Sequence, residues 1–193
     1  TKRGGRRNAY RTPWIYFGRN AILTKGIPQQ RMVNNSIATN AIWKILETVK
    51  DPEVPVLSVV DLGVIRAVAV EEQQVTVTIT PTYTGCPAMD MISMHIKMAL
   101  NAEGYQTIIQ TVLSPAWTTD WMTENGKQQL KAYGIAPPMG KSFDQAYLDN
   151  LIVPCPQCNS THTVLVSQFG STACKALYKC EECKEPFDYF KCH

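Results

Sequence analysis

Residues 64–87 read VIRAVAVEEQQVTVTITPTYTGCP and decide the fold. Apolar and polar residues alternate from Val75 to Thr80, which is the pattern of a strand with one buried face, and Val64 to Val70 predicts a strand before it. The polar residues 71–74 between them predict a hairpin turn. Pro87 predicts the start of a helix, since the missing N–H of proline costs nothing at that position.

Working outward from this stretch, helical spacing of apolar residues predicts three helices and one further strand. The helices span residues 36–50, residues 87–103 and Thr123 to Tyr133, and the strand spans Gln106 to Leu113. The order helix, strand, strand, helix, strand, helix predicts an α+β domain, a small sheet with packed helices.

Length and composition exclude several classes of protein. The chain has 193 residues and is 45% hydrophobic, which suits one domain with a smaller appendage and is too apolar for a disordered chain. No run approaches the roughly 18 apolar residues of a membrane span, so we expect no membrane association. The predicted organisation is a leader (1–31), an α+β domain (32–134), an irregular linker rich in proline and glycine (135–152) and a cysteine-rich domain (153–193).

Charge separates the leader from the rest of the chain. Residues 1–31 hold eight of the 19 basic residues and no acidic residue, which leaves 11 basic residues against 16 acidic ones in residues 32–193. The acidic body does not suit nucleic-acid binding. Arg-rich leaders occur in transit peptides and in nucleic-acid-binding arms, but we expect this one to be extraneous or disordered. It lacks the apolar stretch of a secretory signal, so we do not expect export.

Two Cys-x-x-Cys pairs, Cys155 with Cys158 and Cys180 with Cys183, are the strongest chemical signal. Each pair places two thiolates on one tight turn, and two such turns complete a tetrahedral sulfur site. Residues 153–193 therefore predict a ribbon whose folding is driven by a structural zinc ion. An iron site with the same ligands is the alternative, because spacing does not choose the metal. A disulfide framework is disfavoured, since the cysteine count is odd and no export signal is present.

The remaining cysteines are candidate reactive thiols. Cys86 is predicted at the N-cap of the second helix, where the helix dipole and free N–H groups stabilise a thiolate. The alternative is a tight turn made by Gly85 in which Cys86 only packs. Cys174 stands beside Lys175, whose charge favours a thiolate, but most free cysteines are small buried hydrophobes. His95 is expected to be a core histidine and not the base of a Cys/His pair.

The motifs also carry a resemblance to known families. Residues 51–65, DPEVPVLSVVDLGVI, and residues 80–87, TPTYTGCP, resemble the SufT-type iron–sulfur-assembly domain family, whose members have a DPE-type turn, a DLG turn and a cysteine in a TxxGCP-type loop. Residues 115–122 (PAWTTDWM), 169–178 (FGSTACKALY) and 185–192 (EPFDYFKC) resemble the PaaD family, the D proteins of bacterial phenylacetate degradation. The resemblance runs from about Ile42 to His193 and leaves the leader uncovered.

This resemblance implies a bacterial cytoplasmic accessory protein that is not itself catalytic and that helps to mature the metal centres of the phenylacetyl-CoA 1,2-epoxidase. It implies that thiols hold iron or an iron–sulfur cluster transiently, and that a turn supports them. The candidate thiols are Cys86, Cys174 and Cys192, and the supporting turn consists of Asp51, Glu53, Thr84 and Gly85.

The expected partners are the oxygenase or reductase subunits of the epoxidase and the iron–sulfur assembly machinery, with a homodimer left open. Two other functions also stay open. In the first, the chain is a noncatalytic structural subunit of the epoxidase complex. In the second, it is a thiol enzyme with Cys86 as nucleophile. The sequence contains no P-loop, no dinucleotide-binding glycine fingerprint and no paired-glutamate di-iron signature.

Overall fold

The computed structural model describes residues 37–139 and 151–191, which form two small sheets and three α-helices. The predicted α+β architecture is confirmed. In chain order the elements are α1 (Ile37–Thr48), β1 (Ile65–Glu71), β2 (Gln74–Ile79), α2 (Ala88–Ala102), β3 (Gln106–Thr111), α3 (Glu124–Tyr133), β4 (Thr163–Ser167), β5 (Lys175–Cys180) and β6 (Pro186–Phe190).

The first sheet has the strand order β1-β2-β3. β1 and β2 form the predicted antiparallel hairpin, and Glu72 in its turn has a φ of 54°. β3 lies parallel to β2, as a crossover through α2 requires. The alternation in β2 sorts its side chains between the two faces, so Val75, Val77 and Ile79 are fully buried.

Helices α1 and α2 cover this sheet and close the main core. The fully buried side chains of the two helices include Ile42 and Leu46 of α1 and Ile96 and Leu100 of α2. Met91, by contrast, is 42% exposed, because the buried stripe of α2 runs along Ala88, Met89, Ile92, Ile96 and Leu100. The body of residues 37–135, which we call the N-terminal unit, is thus held by aliphatic packing.

The long loop between α1 and β1 is tied to α3 through Asp61. The carboxylate of Asp61 accepts hydrogen bonds from Ser58 Oγ at 2.8 Å, Thr123 Oγ1 at 2.5 Å and Asn125 Nδ2 at 3.1 Å. Burial works against the charge of Asp61, but these three donors lower its pKa below the ordinary value. Gly63 follows with a φ of +76°, where an added Cβ would collide with the backbone carbonyl of Trp121.

The second sheet, β4-β5-β6, is antiparallel throughout and is called the ribbon (residues 151–191). Tyr178 lies at its centre, with ring centroids of Phe187 and Tyr189 at 5.9 and 5.8 Å. Cys174 and Phe190 face the other way and join the core of the N-terminal unit. The ribbon and the N-terminal unit therefore pack against each other, and we call this contact the seam.

Several predicted features fall wholly or partly outside the described residues. These are the leader 1–31, residue Ser36 at the start of the first predicted helix, residues 140–150 of the predicted linker, and Cys192. At the start of that linker, Ile135 and Ala136 are buried, and Ala136 pairs with Tyr189 of β6. Among the helices of residues 37–139 and 151–191, none combines the length and apolar character needed to cross a bilayer.

Candidate functional site

Four cysteine sulfurs of the ribbon converge on one point. The Sγ atoms of Cys155, Cys158, Cys180 and Cys183 all lie within 4.8 Å of one another. Cys155 and Cys183 are 3.7 Å apart, and Cys158 and Cys180 are 3.6 Å apart. A metal about 2.3 Å from each of four tetrahedral sulfurs separates them by about 3.8 Å. The residues therefore fit one tetrahedral metal ion.

The pKa values of these thiols also favour the binding of a cation by the four cysteines. Burial opposes the Cys180 thiolate, but backbone N–H groups of Cys183 and Glu182 donate to it and lower its pKa to about 6. The N–H of Glu185 favours the Cys183 thiolate in the same way. Burial and the three neighbouring sulfurs outweigh that bond and raise the pKa of Cys183 to about 12. Four adjacent thiolates thus need a positive ion to coexist.

His162 lies close to this group without joining it. Its Nδ1 pairs with Glu182 Oε1 at 2.7 Å, and both side chains are exposed. Among the described residues, the only cluster of three or more metal-ligating side chains is the four cysteines.

A second group of polar side chains lies on the seam between the ribbon and the N-terminal unit. Cys174, at the entry to β5, is 7% exposed, and its Sγ lies 3.4 Å from Glu53 Oε2 and 3.1 Å from Thr172 Oγ1. Burial raises the pKa of Cys174 to about 12; the Thr172 hydroxyl opposes this rise, and the charges of Glu53 and Asp51 reinforce it. Cys174 is therefore a protonated thiol at neutral pH that donates to Glu53.

Tyr83 connects Cys86 to the same group. Burial, followed by the charge of Cys86 and a side-chain hydrogen bond with it, raises the pKa of Tyr83 to about 12, and Glu53 and Cys174 add to the effect. Cys86 and Cys174 are 88 positions apart in sequence, yet both raise the pKa of Tyr83. Sequence reasoning missed Tyr83; the only available signal was its position three residues before Cys86.

The predicted position of Cys86 at the helix cap is wrong by one residue. Pro87 is the N-cap of α2, and the helix begins at Ala88. Cys86 precedes the cap in a turn closed by a hydrogen bond from its own N–H to the Tyr83 carbonyl at 3.2 Å. Gly85 has a φ of +85°, and both Thr84 and Gly85 are exposed. The direct capping argument for a Cys86 thiolate therefore no longer holds.

Asp51 and Glu53 of the DPE turn have different roles. Asp51 is 7% exposed, and its Oδ1 accepts the N–H groups of Glu53 and Val54, each at 2.8 Å, so it shapes the turn. Burial raises the pKa of Asp51 despite these bonds. Glu53 is half-buried and directs its carboxylate at Cys174. Of the two acids, Glu53 is the one in contact with a thiol.

Two buried lysines border this group, which we call the seam centre (Glu53, Tyr83, Cys86 and Cys174). Lys175 is 5% exposed; its Nζ lies 3.4 Å from the Glu53 carbonyl and 3.8 Å from Asp188 Oδ2. Lys191 is 7% exposed, and burial lowers its pKa, while the nearby Cys174 opposes that change. Sequence reasoning named Lys175 but not Lys191. His95 is only partly buried and lines a groove beside Asp51.

Two family descriptions match the chain. Residues 142–191 match the PaaD zinc beta ribbon domain, and residues 39–105 match the iron-sulfur cluster assembly protein family. Both resemblances drawn from the motifs are confirmed by these matches.

Two individual proteins are similar to this chain. It is 50% identical over 153 residues to a protein of Escherichia coli (strain K12) described as the putative D component of 1,2-phenylacetyl-CoA epoxidase, covering 78% of this chain and 91% of that protein. It is 39% identical over 92 residues to an Fe-S protein maturation auxiliary factor of Porphyromonas gingivalis, covering 46% of this chain and 87% of that protein.

Two solved structures are also similar. A domain of unknown function (DUF59) from Bacillus anthracis aligns with 29% identity and a TM-score of 0.44, covering 47% of this chain and 89% of that one. A Mycobacterium tuberculosis protein associated with Fe-S complex assembly and repair aligns with 27% identity and a TM-score of 0.31, covering 61% and 98%.

Proposed function

The chain belongs to the PaaD family, that of the phenylacetyl-CoA epoxidase D components, and we propose that it helps to mature the metal centres of that epoxidase. In this proposal the seam centre holds iron or an iron–sulfur cluster briefly before transfer to an epoxidase subunit. The observation that carries it is the 3.4 Å contact between Cys174 of the ribbon and Glu53 of the N-terminal unit, beside the Tyr83–Cys86 pair.

The donor set of the seam centre suits iron as cargo. Cys174 and Glu53, which are in contact, combine a soft and a hard ligand, and both kinds bind iron in proteins. Cys86 would have to move closer to join them, because the described residues hold no third ligand within reach of this pair. The thiolate is the form that binds a metal, so loading must displace the proton of Cys174. Because the pKa of Cys174 is raised to about 12, that proton competes strongly with the metal at neutral pH. Such competition favours weak binding of iron and its ready release.

This competition predicts a pH dependence for iron uptake. Over the range from pH 6 to pH 8, where Cys174 stays protonated without metal, each unit of pH should strengthen iron(II) binding by about tenfold for each proton displaced. Anaerobic titrations at several pH values measure this slope, and the Cys174→Ser variant should lower it by about one proton. An equal slope in the variant would argue against Cys174 as a ligand.

We assign zinc to the four ribbon cysteines, with a structural role. Zinc supplies no chemistry to the cargo there; it fixes the two turns that carry Cys155, Cys158, Cys180 and Cys183. Strand β5 runs from the seam at Lys175 to the metal ligand Cys180. Fixing one end of this short strand thereby fixes Cys174 against Glu53 at the other.

A second candidate function, that of a noncatalytic structural subunit, is favoured by one surface. Met91, Met94 and Met98 of α2 are 42%, 45% and 62% exposed, and a groove of about 580 Å³ between α2 and residues 48–55 runs from Met98 to Pro52. Exposed apolar surface of this kind suits a protein partner. This function predicts stable co-purification with the oxygenase that does not depend on Cys86.

The deciding experiment purifies the oxygenase from cells that carry this protein with Cys86→Ser, Cys174→Ser or Glu53→Gln. The maturation function expects oxygenase with little iron and poor growth on phenylacetate for Cys86→Ser and Cys174→Ser, with a partial loss for Glu53→Gln. Glu103→Gln, an equivalent change at the exposed end of α2, is the control and should leave the iron content unchanged. Fully loaded oxygenase in both thiol variants would reject the maturation role.

A further inference from the structure

The proposed function leaves Arg66 and the pocket beside it without a role. Ile65 of β1 pairs with Ile79, while Ala67 pairs with Thr78, so Arg66 is an extra residue in the strand. Such β-bulges turn a side chain away from the direction that regular pairing would give it. Arg66 therefore leaves the β1 strand in a direction set by the bulge.

The guanidinium of Arg66 is held in place but not neutralised. Its Cζ lies 3.3 Å from the centroid of the Trp121 ring, and partial burial lowers the pKa of Arg66. Within residues 37–139 and 151–191, it forms no ion pair with a carboxylate and donates no hydrogen bond. A cation–π contact fixes the group while leaving its N–H donors unused.

Arg66 lines a cavity of about 230 Å³. Trp43, Val60 and Ile65 provide apolar walls, and Gly63 has no side chain to fill the space. The exposed Glu47 also lines the cavity and adds one negative charge beside the single cation Arg66.

We propose that this pocket binds a small monocarboxylate that carries an apolar body. The planar fork of arginine matches a carboxylate with two parallel hydrogen bonds, and the aromatic and aliphatic walls suit an apolar group attached to it. Glu47 repels a second negative charge, which disfavours dicarboxylates and inorganic phosphate. The volume lies below the roughly 300–1,000 Å³ of pockets for drug-sized ligands, so the ligand is small.

This inference is independent of the seam centre. None of its residues belongs to the thiol group or to the four-cysteine site, and its probes contain no metal. Failure of one proposal therefore leaves the other intact.

The test titrates the full chain with benzoate, with its uncharged analogue benzamide and with inorganic phosphate, and follows the indole N–H signals by two-dimensional NMR. We expect benzoate to shift the Trp43 and Trp121 signals saturably, while Trp117 stays unchanged, since its Nε1 donates to the Leu62 carbonyl in the core. Benzamide should have little effect. Arg66→Gln should weaken benzoate binding by at least about tenfold, the usual cost of losing charge-assisted hydrogen bonds.

Two further variants keep the test decisive. Arg66→Lys keeps the charge but loses the fork, so we expect binding between that of the parent and that of Arg66→Gln. Glu47→Gln removes the opposing charge and should strengthen benzoate binding. Thermal unfolding checks that each variant is folded. Equal binding of benzamide, phosphate binding as tight as that of benzoate, or unchanged affinity in a folded Arg66→Gln protein would each overturn the proposal.

Discussion

The N-terminal unit and the ribbon are stabilised by different means. Fully buried aliphatic side chains from two helices and a sheet hold the first, with Ile42, Leu46 and Ile96 each 0% exposed. The buried cluster of the ribbon has seven ribbon residues and Ala136, and two of its members, Cys155 and Cys180, are proposed metal ligands. Apolar burial suffices to stabilise the larger body, whereas we expect the folding of the smaller one to depend on a metal ion. The seam is where the stability of one affects the other.

The largest effect expected is from breaking the metal site of the ribbon. Cys180→Ser should unfold the ribbon, because a structural zinc site contributes roughly 10–16 kcal/mol to the folding of so small a module. Zinc content by elemental analysis and the near-ultraviolet dichroism of Tyr178 and its neighbours measure the change. Cys86→Ser should keep one zinc per chain and the same dichroism.

The same variant tests the coupling across the seam. Phe190 and Cys174 are 2% and 7% exposed and pack on the N-terminal unit, so ribbon unfolding should also lower the melting temperature of that unit. Exposing these contacts costs on the order of 2–4 kcal/mol. If the N-terminal unit melts at the same temperature in Cys180→Ser as in the parent, the two bodies are energetically separate.

The converse experiment damages the N-terminal unit at Gly63. Gly63→Ala combines a φ of +76° with a collision against the Trp121 carbonyl, so we expect a loss of about 3 kcal/mol or more. Chemical denaturation measures the loss, while bound zinc reports on the ribbon. Gly104→Ala is the control, since its φ is +87° but no atom lies within 4 Å of the added Cβ. A smaller loss in Gly63→Ala than in Gly104→Ala would contradict the steric account.

A smaller and pH-dependent effect is expected at Asp61. The pKa of Asp61 is lowered in the folded state, so its contribution is present above the unfolded value of 3.8 and is lost as the pH falls through the folded pKa. Asp61→Asn should therefore cost about 1 kcal/mol at pH 7, a modest value for a partly exposed group, and progressively less at an acid pH that approaches the lowered folded pKa. Denaturation at the two pH values gives the comparison, and a pH-independent loss would point to packing instead.

The smallest effect is expected at the surface of the seam. Lys131 of α3 donates to Asn159 of the ribbon at 2.8 Å, but both side chains are exposed. Lys131→Ala should change stability by no more than about 0.5 kcal/mol, as should Lys127→Ala, whose partner Glu124 lies within α3. A much larger loss for Lys131→Ala, measured by denaturation, would mean that this surface bond and not the buried contacts holds the ribbon in place.

Local sequence patterns predicted the strands of the first sheet and the four-cysteine site. Alternation in Val75, Val77 and Ile79 predicted β2 and its buried face, because side chains of a strand alternate between faces whatever lies around them. The paired Cys-x-x-Cys spacing identified the four sulfurs that converge, since each turn fixes its own two ligands. The cap of α2 was wrong by one residue, because Pro87 fits both the cap and the first helical position.

Only the tertiary structure decided which of the other polar residues meet. Glu53 and Cys174 are 121 positions apart, and no local pattern relates them. Their contact follows from docking the ribbon against the DPE turn, which also buries Lys175 and raises the pKa of Cys174. In the same way, the bulge that frees Arg66 depends on the pairing of β1 with β2. Sequence spacing determines which residues are neighbours within one helix, strand or turn. Packing between these elements determines which polar side chains of the seam are in contact and how their pKa values change.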